Sequence, residues 1–257
     1  MEHTEQRIVC EHPVIERVRS YLRLESLFTR FTCTLAKEDA EAHRLSLSTL
    51  FEIMDCASRA ELKLDILQEL ERQKQQASNL GDDESIHQLQ TCIDDLHRIQ
   101  HKFGQHLREN EWLMGIKQRM AVAGSSGPID APSFYFWQTL PAADRRHDLE
   151  QWAQALMPTG NAVSLLLAIL RGNAVGSEHI AYGGNHQQPE LGRHVHLLRI
   201  ETEHRLAVLP EVSANKYMMH LRFVEVDFSR TRGKQAQRDI PFHISLCSFD
   251  NTMGQAR

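Results

Sequence analysis

Residues 59–108, RAELKLDILQELERQKQQASNLGDDESIHQLQTCIDDLHRIQHKFGQHLR, decide the fold of this chain. The first half is rich in Leu, Glu, Lys and Gln, which all favour helices. Residues 79–83, Asn-Leu-Gly-Asp-Asp, then interrupt the pattern. Gly81 suits the left-handed position that ends a helix, and Asp82 or Asp83 suits the N-cap of the next one. The stretch therefore predicts two helices, Arg59–Ser78 and Asp83–Arg108, joined in an antiparallel hairpin.

The second of these helices carries a regular seam. Its seam positions are spaced by three and four residues, as in a coiled coil, and they are Ile86, Leu89, Ile93, Leu96, Gln100 and Phe103. If the helix is continuous from 83 to 108, it is about 39 Å long at ~1.5 Å per residue.

Outward from the hairpin, the hydrophobic period changes near Asn173. Apolar residues before it recur mostly at three and four, whereas short segments after it alternate at two. The expected strands are His179–Tyr182, His194–Thr202, Leu206–Leu209, Lys216–Phe228 and Ile240–Ser248, with Arg7–Cys10 as a further candidate. We therefore predict an α+β fold: a mainly helical domain over residues 1–172, packed on an antiparallel β domain over 173–257 with a polar C-terminal tail.

Composition excludes several classes of protein. The chain has 257 residues, of which 41% are apolar and 25% charged, as in ordinary globular proteins. The formal net charge of −5 argues against a general nucleic-acid binder. No apolar run approaches the roughly 20 residues of a membrane span, and residues 1–7 lead into no signal-type segment. We expect a cytoplasmic protein that binds neither nucleic acid nor membrane.

Charge is unevenly distributed along the sequence. Residues 38–95 hold 14 acidic and 5 basic side chains, so the predicted hairpin lies in an acidic region. Basic residues concentrate in 16–30 and 101–119, and Arg222 lies in mid-strand on the face opposite Tyr217 and Phe223. Each can be a solvated residue or part of an internal ion pair. Together they can also line a groove that binds carboxylates, because a guanidinium makes bidentate contacts with them.

No motif for catalysis is present, and we expect no cofactor. The sequence lacks phosphate-binding glycine loops, nucleophile elbows and paired metal-binding cysteines. Gly124-Ser125-Ser126-Gly127 is interpreted as a flexible turn, and the five scattered cysteines as reduced thiols. The alternative function is a metal-dependent enzyme, with His194 and His196 on one strand face and a third ligand from His204 or His220. The competing interpretation is that these are half-exposed strand histidines.

An ordered set of short motifs resembles the ZapD family of bacterial cell-division proteins. The set covers nearly the whole chain. Its pieces are Glu11-His12-Pro13, residues 19–25 (RSYLRLE), 67–73 (LQELERQ), 104–109 (GQHLRE), Gln118-Arg119, Asp130-Ala131-Pro132 with Trp137, Leu140 and Pro141, and Leu221-Arg222-Phe223.

This resemblance implies a function and a site. Members of the family are cytoplasmic homodimers that bind the C-terminal peptide of the tubulin-like protein FtsZ. They cross-link FtsZ filaments into bundles at the mid-cell Z-ring, promote septum formation, and are not enzymes. They use basic residues in a pocket between the two domains. The matching positions here are Arg23, Arg108, Arg119 and Arg222, with Lys117 where other members carry Arg.

The sequence also departs from the family pattern in three places. The loop over residues 123–130 is altered, Tyr135 stands where His is expected, and Glu111 occupies a position that can be basic. These differences affect the expected shape and charge of the pocket.

Overall fold

The computed structural model describes residues 6–57, 61–99, 101–122, 127–189, 194–214, 218–229 and 233–250. The helices are α1 (Glu16–Leu35), α2 (Ala40–Cys56), α3 (Leu62–Leu80), α4 (Asp83–Arg98), α5 (Gln105–Arg108), α6 (Glu111–Met120), α7 (Pro132–Thr139), α8 (Ala142–Ala153) and α9 (Met157–Gly172). The strands are β1 (Arg7–Pro13), β2 (Val175–Ala181), β3 (Asn185–Pro189), β4 (Leu197–Glu203), β5 (Val208–Ala214), β6 (Met218–Glu225) and β7 (Ile240–Cys247). The predicted α+β class is confirmed.

The chain forms two compact units. Residues 20–166 make one, called the helical unit here, and residues 1–19 with 167–257 make the other, called the β unit. Helices α1 and α9 each contain a unit boundary.

The predicted helix hairpin is confirmed as α3 and α4, which pack against each other. The seam of α4 is buried at Leu89, Ile93 and Leu96. Gly81 ends α3 with φ +71°, and the Asp82 carboxylate caps α4 by accepting a hydrogen bond from the Ser85 N–H at 3.1 Å. Both connecting residues therefore take the roles that their chemistry predicts.

The expected length of the second arm is wrong. Helix α4 ends at Arg98, and a separate short helix, α5, begins at Gln105. Gly104 lies between them with φ +67°, and a Cβ atom there would lie 2.7 Å from Met54 Cγ. The backbone at this point thus packs directly against α2, which a continuous helix would prevent. The arm has 16 residues, or about 24 Å at ~1.5 Å per residue.

Aromatic and aliphatic side chains fill the core of the helical unit. Tyr21 and Leu24 of α1 and Leu50 and Ile53 of α2 are fully buried. A second cluster joins α6, α7 and α8 through tilted or stacked ring contacts at 5.6–6.5 Å, among Trp112, Phe134, Trp137 and Trp152. Asp130 does not cap α7 as its position suggests, because Ala131 is the N-cap residue and Pro132 follows it.

The β unit contains two antiparallel sheets. One has the strand order β1-β4-β7-β2 and the other β3-β6-β5. Side chains from both sheets form one core, in which the rings of Phe223 and Phe242 lie 5.2 Å apart. Strand β1 pairs with β4, which places residues 7–13 at one edge of the four-stranded sheet.

The strand bounds differ from the sequence expectation in several places. Strand β2 begins at Val175 instead of His179, and β6 ends at Glu225 instead of Phe228. Strand β4 begins at Leu197 instead of His194, and β5 runs to Ala214 after a short 3₁₀ turn at His204–Leu206. Strand β3 was not predicted, because Asn185–Pro189 is polar. In the turn that precedes β3, Gly183 and Gly184 have φ +54° and +75°. Tyr217, the 123–126 segment and the tail after Asp250 lie outside the described residues.

No single helix of the described residues is both long and apolar enough to cross a bilayer. Helices α8 and α9, bent by 73° relative to each other, reach the required length and composition only as a pair.

Candidate partner-binding site

The five predicted site residues divide between the two units. Arg23 on α1, Arg108 on α5, and Lys117 and Arg119 on α6 belong to the helical unit. Arg222 on β6 belongs to the β unit. Their surroundings differ, and we take each in turn.

Two of the cations meet at the C-terminal end of α2. The Arg108 guanidinium donates hydrogen bonds to the backbone carbonyls of Phe103 at 2.7 Å and Met54 at 3.2 Å. Lys117 Nζ donates to Asp55 Oδ1 at 2.6 Å. Since the last carbonyls of a helix carry partial negative charge, they favour cations at this position. Arg108 and Lys117 are therefore brought together by the structure, each with an internal partner.

The position of Lys117 follows from the local structure of α6. Asn110 caps the helix by accepting a hydrogen bond from the Leu113 N–H at 3.0 Å. Leu113 and Ile116 are buried, so the helix is held on one face. Lys117 and Arg119 fall in its last turn, where Arg119 is exposed and also has a partner within the chain.

Arg23 is exposed on α1, between the buried residues Tyr21 and Leu24. Within the residues that the structure describes, its guanidinium makes no hydrogen bond or ion pair. Its donors are therefore available to an external carboxylate.

Arg222 occupies the middle strand of the three-stranded sheet. Glu211 of β5 and Asn185 of β3 are its register partners. Its side chain is 47% exposed and binds the Glu211 carboxylate through Nε, at 2.9 Å, and through Nη2. The alternation in the sequence correctly predicted the exposed face, because the flanking Leu221 and Phe223 are fully buried. An external carboxylate would compete with Glu211 for this guanidinium.

Sequence reasoning missed two exposed aromatic residues on α7. Tyr135 is 51% exposed and Phe136 is 66% exposed. Their neighbours Phe134 and Trp137 lie three residues apart on the buried face, so the two residues between them must point outward. That spacing was the available signal. The helical unit therefore offers apolar as well as cationic side chains to a partner.

The histidines of the alternative function have other partners. His194 Nδ1 lies 3.0 Å from Asp250 Oδ2, and His196 Nδ1 accepts a hydrogen bond from the Phe249 N–H at 3.1 Å. Both histidines precede β4, so the expectation that they lie on one strand face is wrong. Among the described residues, no group of three or more His, Cys, Asp or Glu side chains could hold a metal ion. These residues thus give the metal-enzyme alternative no support.

The helical unit exposes arginines and aromatic rings, two kinds of side chain that suit an acidic and apolar peptide. Arginine and aromatic residues are also the types enriched at protein interfaces. The chemistry that this arrangement supports is recognition of carboxylates.

Comparison with known proteins identifies a family that this chain resembles. The family model ZapD, described as a cell division protein, matches residues 22–222, a segment that contains all five predicted site residues. The cell division protein ZapD of Chromobacterium violaceum is 41% identical to this chain over 251 residues, which are 94% of the chain and all of the relative.

Proposed function

The chain belongs to the ZapD family of cell division proteins, and on that premise we propose that it is a non-enzymatic adaptor that binds the C-terminal peptide of FtsZ. Acting as a homodimer in the cytoplasm, it cross-links FtsZ filaments into bundles at the mid-cell Z-ring and so promotes septum formation.

Arg23 carries the peptide-binding part of the proposal. It is an exposed arginine inside the matched segment, without an internal partner among the described residues. An arginine in this state can bind a carboxylate without first losing an existing contact. Tyr135 and Phe136 supply apolar surface that an acidic and apolar peptide also requires.

The five basic residues take different roles in this proposal. Arg23 and Arg119 contact the peptide, and Arg222 does so after exchanging Glu211 for a peptide carboxylate. Arg108 and Lys117 already donate hydrogen bonds to residues at the end of α2, so they shape the site and raise its positive potential.

Cross-linking then follows from symmetry. A two-fold dimer carries two equivalent peptide sites, and two filaments can occupy them at once. Because each filament presents many peptides, bundling is strong even where one peptide binds weakly. Exposed charge pairs are screened over about 8–10 Å at physiological salt, so binding weakens as salt is raised.

The test is a fluorescence anisotropy titration of a labelled FtsZ C-terminal peptide at two salt concentrations. We expect saturable binding that is weaker at the higher concentration. Arg23→Glu and Arg222→Glu each remove most binding while the fold is retained, as checked by circular dichroism. Lys37→Glu makes the same charge change at an exposed lysine elsewhere in the helical unit, and it leaves binding nearly unchanged.

Glu211→Gln separates the role of Arg222 from general charge effects. It frees the Arg222 guanidinium from its internal carboxylate, so peptide binding becomes equal or tighter.

Wild-type affinity in both Arg23→Glu and Arg222→Glu would refute the site assignment. No binding at low salt would refute the FtsZ proposal itself, and sedimentation of FtsZ filaments with the protein tests bundling separately.

A further inference from the structure

The helical unit contains a pocket whose lining includes none of the five proposed site residues, although Arg108 lies next to it, bound to the Phe103 carbonyl. Its volume is about 650 Å³, and its lining comes from the segments 95–99, 101–106 and 151–158. It therefore lies between the end of α4 with the segment that follows it and the junction of α8 with α9.

The early end of α4 creates this pocket, and three contacts fix its walls. Lys63 Nζ donates a hydrogen bond to the Ile99 carbonyl at 2.7 Å, just after the helix ends. Gly104 packs on α2, as described above. His106 Nε2 lies 2.8 Å from the Trp152 carbonyl oxygen, which joins α5 to α8 across the pocket. The shape is thus held by contacts to α2, α3 and α8.

Basic and apolar side chains both line the pocket. Arg98, His101 and Lys102 are exposed at the pocket, and the side chains of His101 and Lys102 make no hydrogen bond or ion pair within the described part of the chain. Asp95 also lines the pocket, and its Oδ1 is already bound by Arg98 Nη1 at 2.6 Å.

Amide donors and apolar groups complete the pocket. The amides are those of Gln151 and Gln154, and the apolar groups are those of Ile99, Ala155 and Pro158. A ligand that matches this lining has a carboxylate next to an aliphatic side chain.

The contact between His106 and Trp152 fixes the tautomer of the ring. A carbonyl oxygen only accepts, so Nε2 carries the proton in that contact.

We propose that this pocket binds an acidic segment of a protein partner. A carboxylate of that segment binds Lys102 and His101, and an adjoining aliphatic side chain packs against the apolar lining residues Ile99, Ala155 and Pro158. The inference does not rest on FtsZ being the partner. It assigns a second peptide-binding site to the helical unit, distinct from the one that includes Arg23.

The test uses a fluorescein-labelled peptide, Leu-Asp-Leu-Asp with a free C-terminal carboxylate, titrated with the full chain at pH 6.5 and low salt. We expect saturable anisotropy, and Lys102→Glu weakens binding about tenfold because a donor becomes a repelling charge. Lys37→Glu is the matched control and binds as wild type does. A Leu-Asn-Leu-Asn amide is expected not to bind.

Three results would overturn the proposal. The first is wild-type affinity in Lys102→Glu. The second is loss of binding in Arg23→Glu but not in Lys102→Glu, which would place the peptide at the site of the proposed function. The third is displacement of the peptide by inorganic phosphate as readily as by unlabelled peptide, because phosphate cannot use the apolar lining residues and a simple anion site would then explain the data.

Discussion

The two units hold their buried or half-buried arginines in different ways. In the helical unit, Arg145 is only 5% exposed, and it donates to the carbonyls of Glu38 at 2.7 Å and Gln138 at 3.1 Å, to that of Leu140, and to His43 Nδ1 at 3.1 Å. None of its partners among the described residues is a carboxylate. In the β unit, the carboxylate of Glu11 binds both Arg171 and Arg199, at 2.7 Å and 3.2 Å.

The type of acceptor, carbonyl or carboxylate, indicates what each arginine stabilises. An arginine held by carbonyls satisfies the ends of several elements at once, so its loss leaves several acceptors unpaired. A carboxylate between two guanidiniums mainly balances charge, so its loss leaves two cations facing each other. The same contrast separates Arg108, held by carbonyls at the end of α2, from Arg222, held by a carboxylate.

The largest expected effect is that of Arg145→Met. The substitution keeps an apolar stem but removes every donor to the three carbonyls and to His43, so we expect a loss of about 3 kcal/mol in the free energy of unfolding. Urea denaturation measures it. Arg146→Met is the control: Arg146 also bonds carbonyls, of Leu35 and Lys37, but it is more exposed, and about 1 kcal/mol is expected. Equal losses in the two variants would contradict the comparison.

Glu11→Gln has the next largest expected effect, about 2 kcal/mol, because the amide cannot balance two guanidiniums that are each only 27% exposed. Thermal unfolding monitored by circular dichroism measures it, and added salt reduces the loss by screening the repulsion. Glu201→Gln is the matched control in the same sheet. Its contacts to Arg7 and Arg199 are 3.7 Å and 4.0 Å, so about 0.5 kcal/mol is expected. A loss from Glu201→Gln as large as that from Glu11→Gln would refute the assigned role.

The hairpin was predictable because its contacts are local. Gly81, Asp82 and the seam at Leu89 and Ile93 involve partners a few residues away or on the next helix, which residue type and spacing specify. The network of Arg145 was not predictable, since His43 lies 102 residues away and Glu38 lies 107 away. The break between α4 and α5 was missed for the same reason, since Gly104 within it packs against Met54 of α2, far away along the chain.

In the candidate site, too, local features were predictable from the sequence and long-range contacts were not. Alternation along β6 placed Arg222 on the face opposite Phe223, and it left both a solvated residue and an internal ion pair open. It did not identify Glu211 as the partner, because strand pairing is not visible in one sequence. The resemblance to a family selected Arg108 and Lys117. The end of α2 that holds them was not foreseen, since it requires the fold.

Gly81→Ala tests a stabilising feature that involves no side-chain charge. Gly81 has φ +71°, which an alanine adopts at a cost, although nothing lies within 4 Å of the added Cβ. We expect a loss of about 1 kcal/mol, smaller than the losses from Arg145→Met and Glu11→Gln, measured by urea denaturation. Gly172→Ala is a control within a helix, with open space and no positive φ, and it is expected to be neutral or stabilising. A larger loss at Gly172 than at Gly81 would show that backbone strain is not the cause.

The smallest effect is expected at Asp82, whose exposed carboxylate accepts hydrogen bonds from Ser85 and from the Glu84 backbone. The hydrogen bonds from Ser85 lower the pKa of Asp82, because they favour its charged form. The cap is therefore fully present above the pKa of an unfolded aspartate, and it is lost as pH falls through the lower folded pKa. We expect Asp82→Ala to be less stable than wild type at pH 7 and the difference to shrink below about pH 4. Asp83→Ala, which removes a neighbouring charge but no cap, is the control. A stability difference between Asp82→Ala and wild type that stays constant with pH would mean that the carboxylate stabilises the protein by something other than its charge. In that case the distinction between groups held by a carboxylate and groups held by carbonyls would apply only to the less exposed arginines.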